Sequence, residues 1–169
     1  MPRIALFLSL LLALPAIAAA ADAAEPPAPT PDLVLSAGAA DIFDSAPYAC
    51  ATVNYRPAFR LLGILGPDLM AGTGRHHEFY AAAGVFCDLP LVSRLLLVPA
   101  FGLGYYNSAA HGRDLGFDLQ FCTSLQLAWR FSAGPRIGVT ISHLSNGSLS
   151  DYNPGTESLT LSITLPLKW

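Results

Sequence analysis

The chain has 169 residues, of which 53% are apolar and only 12% charged, which excludes a disordered polymer. Fourteen glycines and fourteen prolines in one domain-sized length disfavour a helical bundle, because both residues destabilise helix interiors. A net charge of -3 without any basic run lacks the phosphate-neutralising surface that nucleic-acid binding needs, so no nucleic-acid partner is expected.

The N-terminus reads as an export signal. Arg3 precedes an apolar run from Ile4 to Leu14, then Pro15 and the small residues Ala18-Ala19-Ala20. This predicts a signal peptide over residues 1–20, cut after Ala20, with Ala24 as second choice. An uncleaved anchor is disfavoured because the run falls short of the ~20 residues that span a bilayer. Residues 21–31, which include Glu25-Pro26-Pro27-Ala28-Pro29, read as an Ala/Pro-rich leader, and residues 32–169 as the folded domain.

Beyond the leader no second run is long enough for a transmembrane helix, yet the chain stays apolar. The spacing of that apolarity is the clue. From Leu115 to Phe131 the odd positions carry Leu115, Phe117, Leu119, Phe121, Thr123, Leu125, Leu127, Trp129 and Phe131, while the even ones are small or polar. Period-two alternation of this kind marks a strand, and one much longer than the five or six residues usual in soluble sheets. Leu159, Leu161, Ile163, Leu165, Leu167 and Trp169 repeat the pattern at the C-terminus, and Leu95 to Tyr105 opposes large residues to Ala100, Gly102 and Gly104. Large-out, small-or-polar-in is the signature of a transmembrane β-barrel. At about ten to eleven membrane residues per strand, residues 32–169 supply about eight strands.

The reading is therefore all-β, an eight-stranded antiparallel transmembrane β-barrel, with strands near 32–43, 47–58, 60–72, 77–89, 92–106, 114–131, 135–145 and 157–169. With both termini periplasmic, Asp44–Ala46, Gly74–His76, Asn107–Gly112 and Asn146–Thr156 become outer connections. Pro90-Leu91 and Ser132-Ala133-Gly134 become tight periplasmic turns. Trp169 closes the last strand like the C-terminal aromatic signal that the barrel-assembly machinery reads, which makes that machinery an expected partner. The implied location is the outer membrane of a Gram-negative bacterium.

Three cysteines cannot all pair within one chain. Parity turns Cys87 outward and Cys122 and Cys50 inward, so Cys50 and Cys122 are the only pair to entertain, against a reading as small barrel-filling residues. No Cys or His spacing suggests zinc. His76-His77, beside Arg75 and Glu78, and His111 read as solvated loop residues.

The segment from Ile141 to Glu157 carries the chemistry. Ile137, Val139 and Ile141 are the lipid-facing positions of the seventh strand, so His143 and Ser145 continue on that outer face. Glu157 opens the eighth strand on the face of Leu159 and Leu161. Nucleophile, base and carboxylate thus converge on the outside of the barrel, where polar groups are costly. A serine hydroxyl needs a base to take its proton, and the imidazolium that results is held by a carboxylate. Asn146 and the Gly147 N–H, just after the serine, are candidate oxyanion donors. The competing reading makes the same residues a polar strand end and turn.

With His143-x-Ser145-Asn146, Asn153-Pro154-Gly155 and Glu157 at this interval, the chain resembles the outer-membrane lipid A 3-O-deacylases of the PagL type. The resemblance implies an eight-stranded barrel with an outward-facing site, a His143, Ser145, Glu157 triad and a contribution of Asn146 to the oxyanion. The substrate it implies is lipid A of lipopolysaccharide in the outer-membrane lipid, and no cofactor or metal is called for. Phe121, beside Ser145 when strands six and seven are paired about Ala133, is placed where an acyl chain would lie. Two alternatives stay open on the residues alone: a non-catalytic small barrel whose loops bind partners, and an esterase or acyltransferase acting on another outer-leaflet lipid.

Overall fold

A computed structural model describes residues 30–109 and 112–167. The expected signal peptide, most of the leader, His111 and Trp169 lie outside the described residues. Among the described residues nine strands follow in order: β1 (Asp32–Ala40), β2 (Tyr48–Arg56), β3 (Gly66–Gly74), β4 (Phe79–Phe86), β5 (Leu89–Val92), β6 (Leu95–Asn107), β7 (Leu119–Arg130), β8 (Arg136–Ser145) and β9 (Thr156–Pro166). All neighbours run antiparallel, and β1 joins β9. The pairing of β4 with β6 closes the sheet into a barrel. Since β4 and β5 both pair with β6, they form one interrupted wall strand, and the barrel is eight-stranded. The interruption faces Pro99 of β6, which has a carbonyl to accept from Cys87 N but no N–H to return.

Alternation sorts the two faces. Leu35, Tyr55, Leu103, Trp129, Val139 and Leu161 are exposed on the outer wall, as lipid-facing positions must be. Asn54, Gln126, Thr160, Ser162 and Thr164 are buried inside. At the end where β1 begins, the interior is ionic: Arg136 lies 2.7 Å from Asp88 and 3.6 Å from Asp32, and Arg56 lies 3.3 Å from Asp68. The Arg56 and Arg60 guanidiniums stand 4.2 and 4.9 Å from the Phe86 ring centre. Toward the opposite end the interior turns apolar, with Tyr80, Tyr106, Leu115 and Cys122 packed together and Met70, Ala82 and Leu144 against them.

Three details differ from the sequence reading. The third strand starts at Gly66 rather than residue 60, because Leu62 and Gly63 take left-handed φ of 51° and 77° and fold residues 57–65 into a long turn. Pro90-Leu91 belongs to β5, and the turn is Ser93-Arg94. The long alternating run is shorter as a strand: β7 begins at Leu119, and residues 114–118 are loop. Leu115, expected on the outer wall, is only 1% exposed and fills the barrel mouth. Gly116 explains the break, since its φ of 80° turns the chain out of strand geometry.

Candidate active site

The β8–β9 ladder places the expected residues. His143 is the direct partner of Glu157, and Ser142 of Ser158, so the alternation that sends Val139 and Leu161 outward also sends His143 and Glu157 outward. His143 Nδ1 stands 3.2 Å from Glu157 Oε1. Ser145 lies two residues further along β8 on the same face, about 6.5–7 Å along the strand, where the ladder gives way to the connecting loop. Its partner on β7 is Phe121, and that of His143 is Thr123. Although outward by parity, Ser145 and Glu157 are each only 8% exposed.

Phe121 covers the turn behind the serine. A Cβ at Gly147 would stand 2.8 Å from its ring, and the ring stacks on Phe101 at 6.1 Å between centres. The two phenyl groups form an apolar strip on the outer wall of β6 and β7, beginning at Ser145. Gly155, with φ of 63°, packs on the other side of the histidine: a Cβ there would meet His143 Cε1 at 3.0 Å.

Asn146 is fully buried, at 0% exposure. Its side-chain amide donates to Leu115 O at 3.0 Å and to Tyr152 O at 2.9 Å, and its Oδ1 accepts from Ser148 N at 2.9 Å. Its backbone N–H donates to Asn153 Oδ1 at 3.1 Å. Both amide donors are thus engaged within the loops. The Gly147 N–H has no acceptor among the described residues.

Around this site the loops are pinned by charge. Arg113 bridges Asp41, at 2.8 Å, and Asp44, and the Thr156 hydroxyl donates to the same Asp41. Partial burial opposes the Arg113 charge, but hydrogen bonds to Asp44 and Asp41 outweigh it and raise the pKa above the ordinary guanidinium value. Among the described residues no His, Cys, Asp or Glu group is arranged to hold a metal. His76 packs edge-on against Tyr48 in the β3–β4 connection, away from the β8–β9 ladder. Cys50, Cys87 and Cys122 are all free.

His143, Ser145, Glu157 and Phe121, expected on one outer face, lie at neighbouring register positions of β7, β8 and β9. Sequence reasoning gave no role to Gly155 or Asn153, though Asn153-Pro154-Gly155 was visible as a motif. It also had no means of joining Leu115 to Asn146, which are 31 residues apart.

The family model for lipid A 3-O-deacylase (PagL) matches residues 68–166. Among solved structures, the crystal structure of the outer membrane enzyme PagL superposes with a TM-score of 0.63 at 18% identity, covering 80% of this chain and 99% of that one. A de novo designed transmembrane β-barrel gives 0.61 at 11% identity, covering 85% of this chain and 100% of that one. Neisserial surface protein A gives 0.59 at 10% identity, covering 81% and 97%. At such identities the superpositions speak for the barrel alone. No curated protein matches the chain in sequence. The family match covers more than half of the chain and includes every residue of the outward-facing cluster, and on that ground the chain belongs to the PagL family of outer-membrane lipid A 3-O-deacylases.

Proposed function

We propose that the protein removes the 3-O-linked 3-hydroxyacyl chain of lipid A as a serine hydrolase, with Ser145 as nucleophile, His143 as general base and Glu157 as its orienting carboxylate. The observation that carries the reading is the 3.2 Å contact of His143 Nδ1 with Glu157 Oε1 on the lipid-facing side of the ladder, two residues along β8 from Ser145. A carboxylate on Nδ1 keeps the proton there and leaves Nε2 as the base.

The steps follow from these positions. Ser145 Oγ attacks the ester carbonyl carbon while His143 takes the hydroxyl proton. The tetrahedral intermediate collapses, the glucosamine 3-oxygen leaves with the proton from His143, and an acyl-serine remains. Water, deprotonated by His143, then attacks this ester and releases the 3-hydroxy fatty acid and free Ser145. The oxyanion donors in this reading are the Gly147 N–H and the Nδ2 of Asn153, whose Oδ1 is already turned to Asn146 N. A site on the wall suits a substrate of the outer leaflet, whose ester arrives laterally and whose acyl chain lies along Phe121 and Phe101.

Mass spectrometry of lipid A after incubation with purified, detergent-folded protein tests this. The expected product has lost one 3-hydroxyacyl chain from position 3, and Ser145→Ala forms none. Full turnover by a folded Ser145→Ala protein overturns the mechanism.

A further inference from the structure

Residues 112–118, the described stretch of the β6–β7 connection before β7, are tied to the barrel at several points. Tyr106 Oη donates to Arg113 O at 2.8 Å, Tyr106 N donates to Asp118 O at 2.7 Å, and Gln120 Nε2 donates to Phe117 O. Arg113 adds its ion pairs to Asp41 and Asp44, and Leu115 is sunk in the barrel mouth against Tyr80, Tyr106 and Cys122. Within this anchored stretch the Leu115 carbonyl faces the active-site loop and accepts from Asn146 Nδ2.

We infer that Asn146 is a positioning residue whose buried amide fastens the active-site loop 146–155 to this anchored connection, so that the turn carrying Gly147 keeps its place behind Ser145. The inference rests on the serine mechanism proposed above and adds residues 112–118 to the machinery.

The hydrogen-bond inventory of an asparagine carries the argument. The side chain offers two N–H donors and one carbonyl oxygen. One donor goes to Leu115 O across to the anchored connection, the other to Tyr152 O within its own loop, and the oxygen takes Ser148 N. No donor is left to turn toward an oxyanion, and swinging one away would orphan a carbonyl against a residue with no solvent exposure. The same contact is tight from the other side. A Cβ at Gly116 would meet Tyr152 O at 1.9 Å and Tyr152 C at 2.8 Å, so the two loops touch backbone to backbone where Asn146 joins them. Gly116 also needs its φ of 80°, which an alanine adopts only with strain. Asn146 and Gly116 are thus the two halves of one clasp.

Three variants, Asn146→Ala, Gly116→Ala and the pair together, are compared with wild type as detergent-folded full-length protein. The measurements are kcat and KM for lipid A and hydrogen exchange of residues 146–153, with heat-modifiable gel mobility to confirm the barrel. Each single variant is expected to speed exchange in 146–153 and to lower kcat about 10²-fold, the scale of a nucleophile displaced by about 1 Å, with KM changed less than about twofold. The pair is expected to be no worse than the weaker single, because both break one contact. The inference is overturned if Gly116→Ala retains full kcat while Asn146→Ala loses it with exchange unchanged, which would make Asn146 a catalytic oxyanion donor. It is equally overturned if the two losses multiply, or if KM rises at constant kcat. Ser145→Ala separates the two readings: should it stay active, the serine mechanism fails, whereas exchange in 146–153 reports on the clasp with or without turnover.

Discussion

His143 and Glu157 are direct partners across β8 and β9, and their contact at 3.2 Å is set by main-chain register before any side chain adjusts. A slip of one residue would turn one of the pair into the barrel. Glu157→Gln keeps an oxygen that can accept from Nδ1 and removes the charge that, in the proposed mechanism, stabilises the imidazolium. It is expected to lower kcat for lipid A by about 10²- to 10⁴-fold with KM little changed. Glu157→Ala should still retain more activity than Ser145→Ala or His143→Ala, since it leaves the proposed nucleophile and base in place. Wild-type turnover by a folded Glu157→Gln barrel would remove the carboxylate from the mechanism.

Gly155→Ala tests how closely the imidazole is confined. The new methyl would stand 3.0 Å from His143 Cε1 and 3.2 Å from Leu144 O, at a φ of 63° that costs an L side chain about 1 kcal/mol. The ring is the part that can yield, so kcat should fall by about 10- to 10²-fold while gel mobility stays that of the folded barrel. Unchanged kcat would show that the ring has slack on that side.

Adjacent residues on opposite faces give a second contrast. Phe121 stacks on Phe101 and covers Gly147 on the outer wall, whereas Cys122 is buried inside against Tyr80 and Leu115. Phe121→Asp puts a carboxylate on the strip proposed to take an acyl chain and should depress kcat/KM by about 10²-fold or more. Cys122→Ala removes one small buried atom, so it should lower stability by about 1 kcal/mol and leave deacylation intact. The reverse pattern, with Cys122→Ala inactive in a folded barrel, would place the substrate inside.

The wall of the barrel was legible because lipid outside and close packing inside impose opposite demands on alternate residues, and no loop can blur that. His143, Ser145 and Glu157 inherited their placement from the same parity. The alternation failed where it ran past the strand. Leu115 keeps the apolar beat of the run, yet Gly116 turns the chain and the leucine enters the barrel mouth. Periodicity carries no record of a left-handed φ. Residues 57–65 were misread for the same reason, since Leu62 and Gly63 break the strand while leaving the composition apolar. Asn146 was singled out for its place next to Ser145, but its partners Leu115 and Tyr152 are a matter of how two loops meet, which spacing along the chain does not encode.

Stability should be controlled from the end opposite the site. Arg136 reaches Asp88 through two hydrogen bonds, of 2.7 and 3.2 Å, and Asp32 at 3.6 Å, and all three side chains are largely shielded inside the barrel. Arg136→Met leaves two interior carboxylates with less compensation; Arg60, 3.8 Å from Asp88, supplies part of it. Removing one member of a buried ionic group costs about 3–5 kcal/mol, so the temperature at which the gel shift is lost should fall well below that of wild type. Deacylation measured below that temperature should be unchanged, because Arg136 sits at the start of β8 and Ser145 at its end. Replacing both carboxylates as well, in Arg136→Met with Asp32→Asn and Asp88→Asn, should restore most of the lost stability, since the penalty belongs to the stranded charges rather than to the missing guanidinium. If the triple variant is no more stable than Arg136→Met alone, the arginine holds the barrel end by packing, and the ionic account of this end of the barrel is wrong.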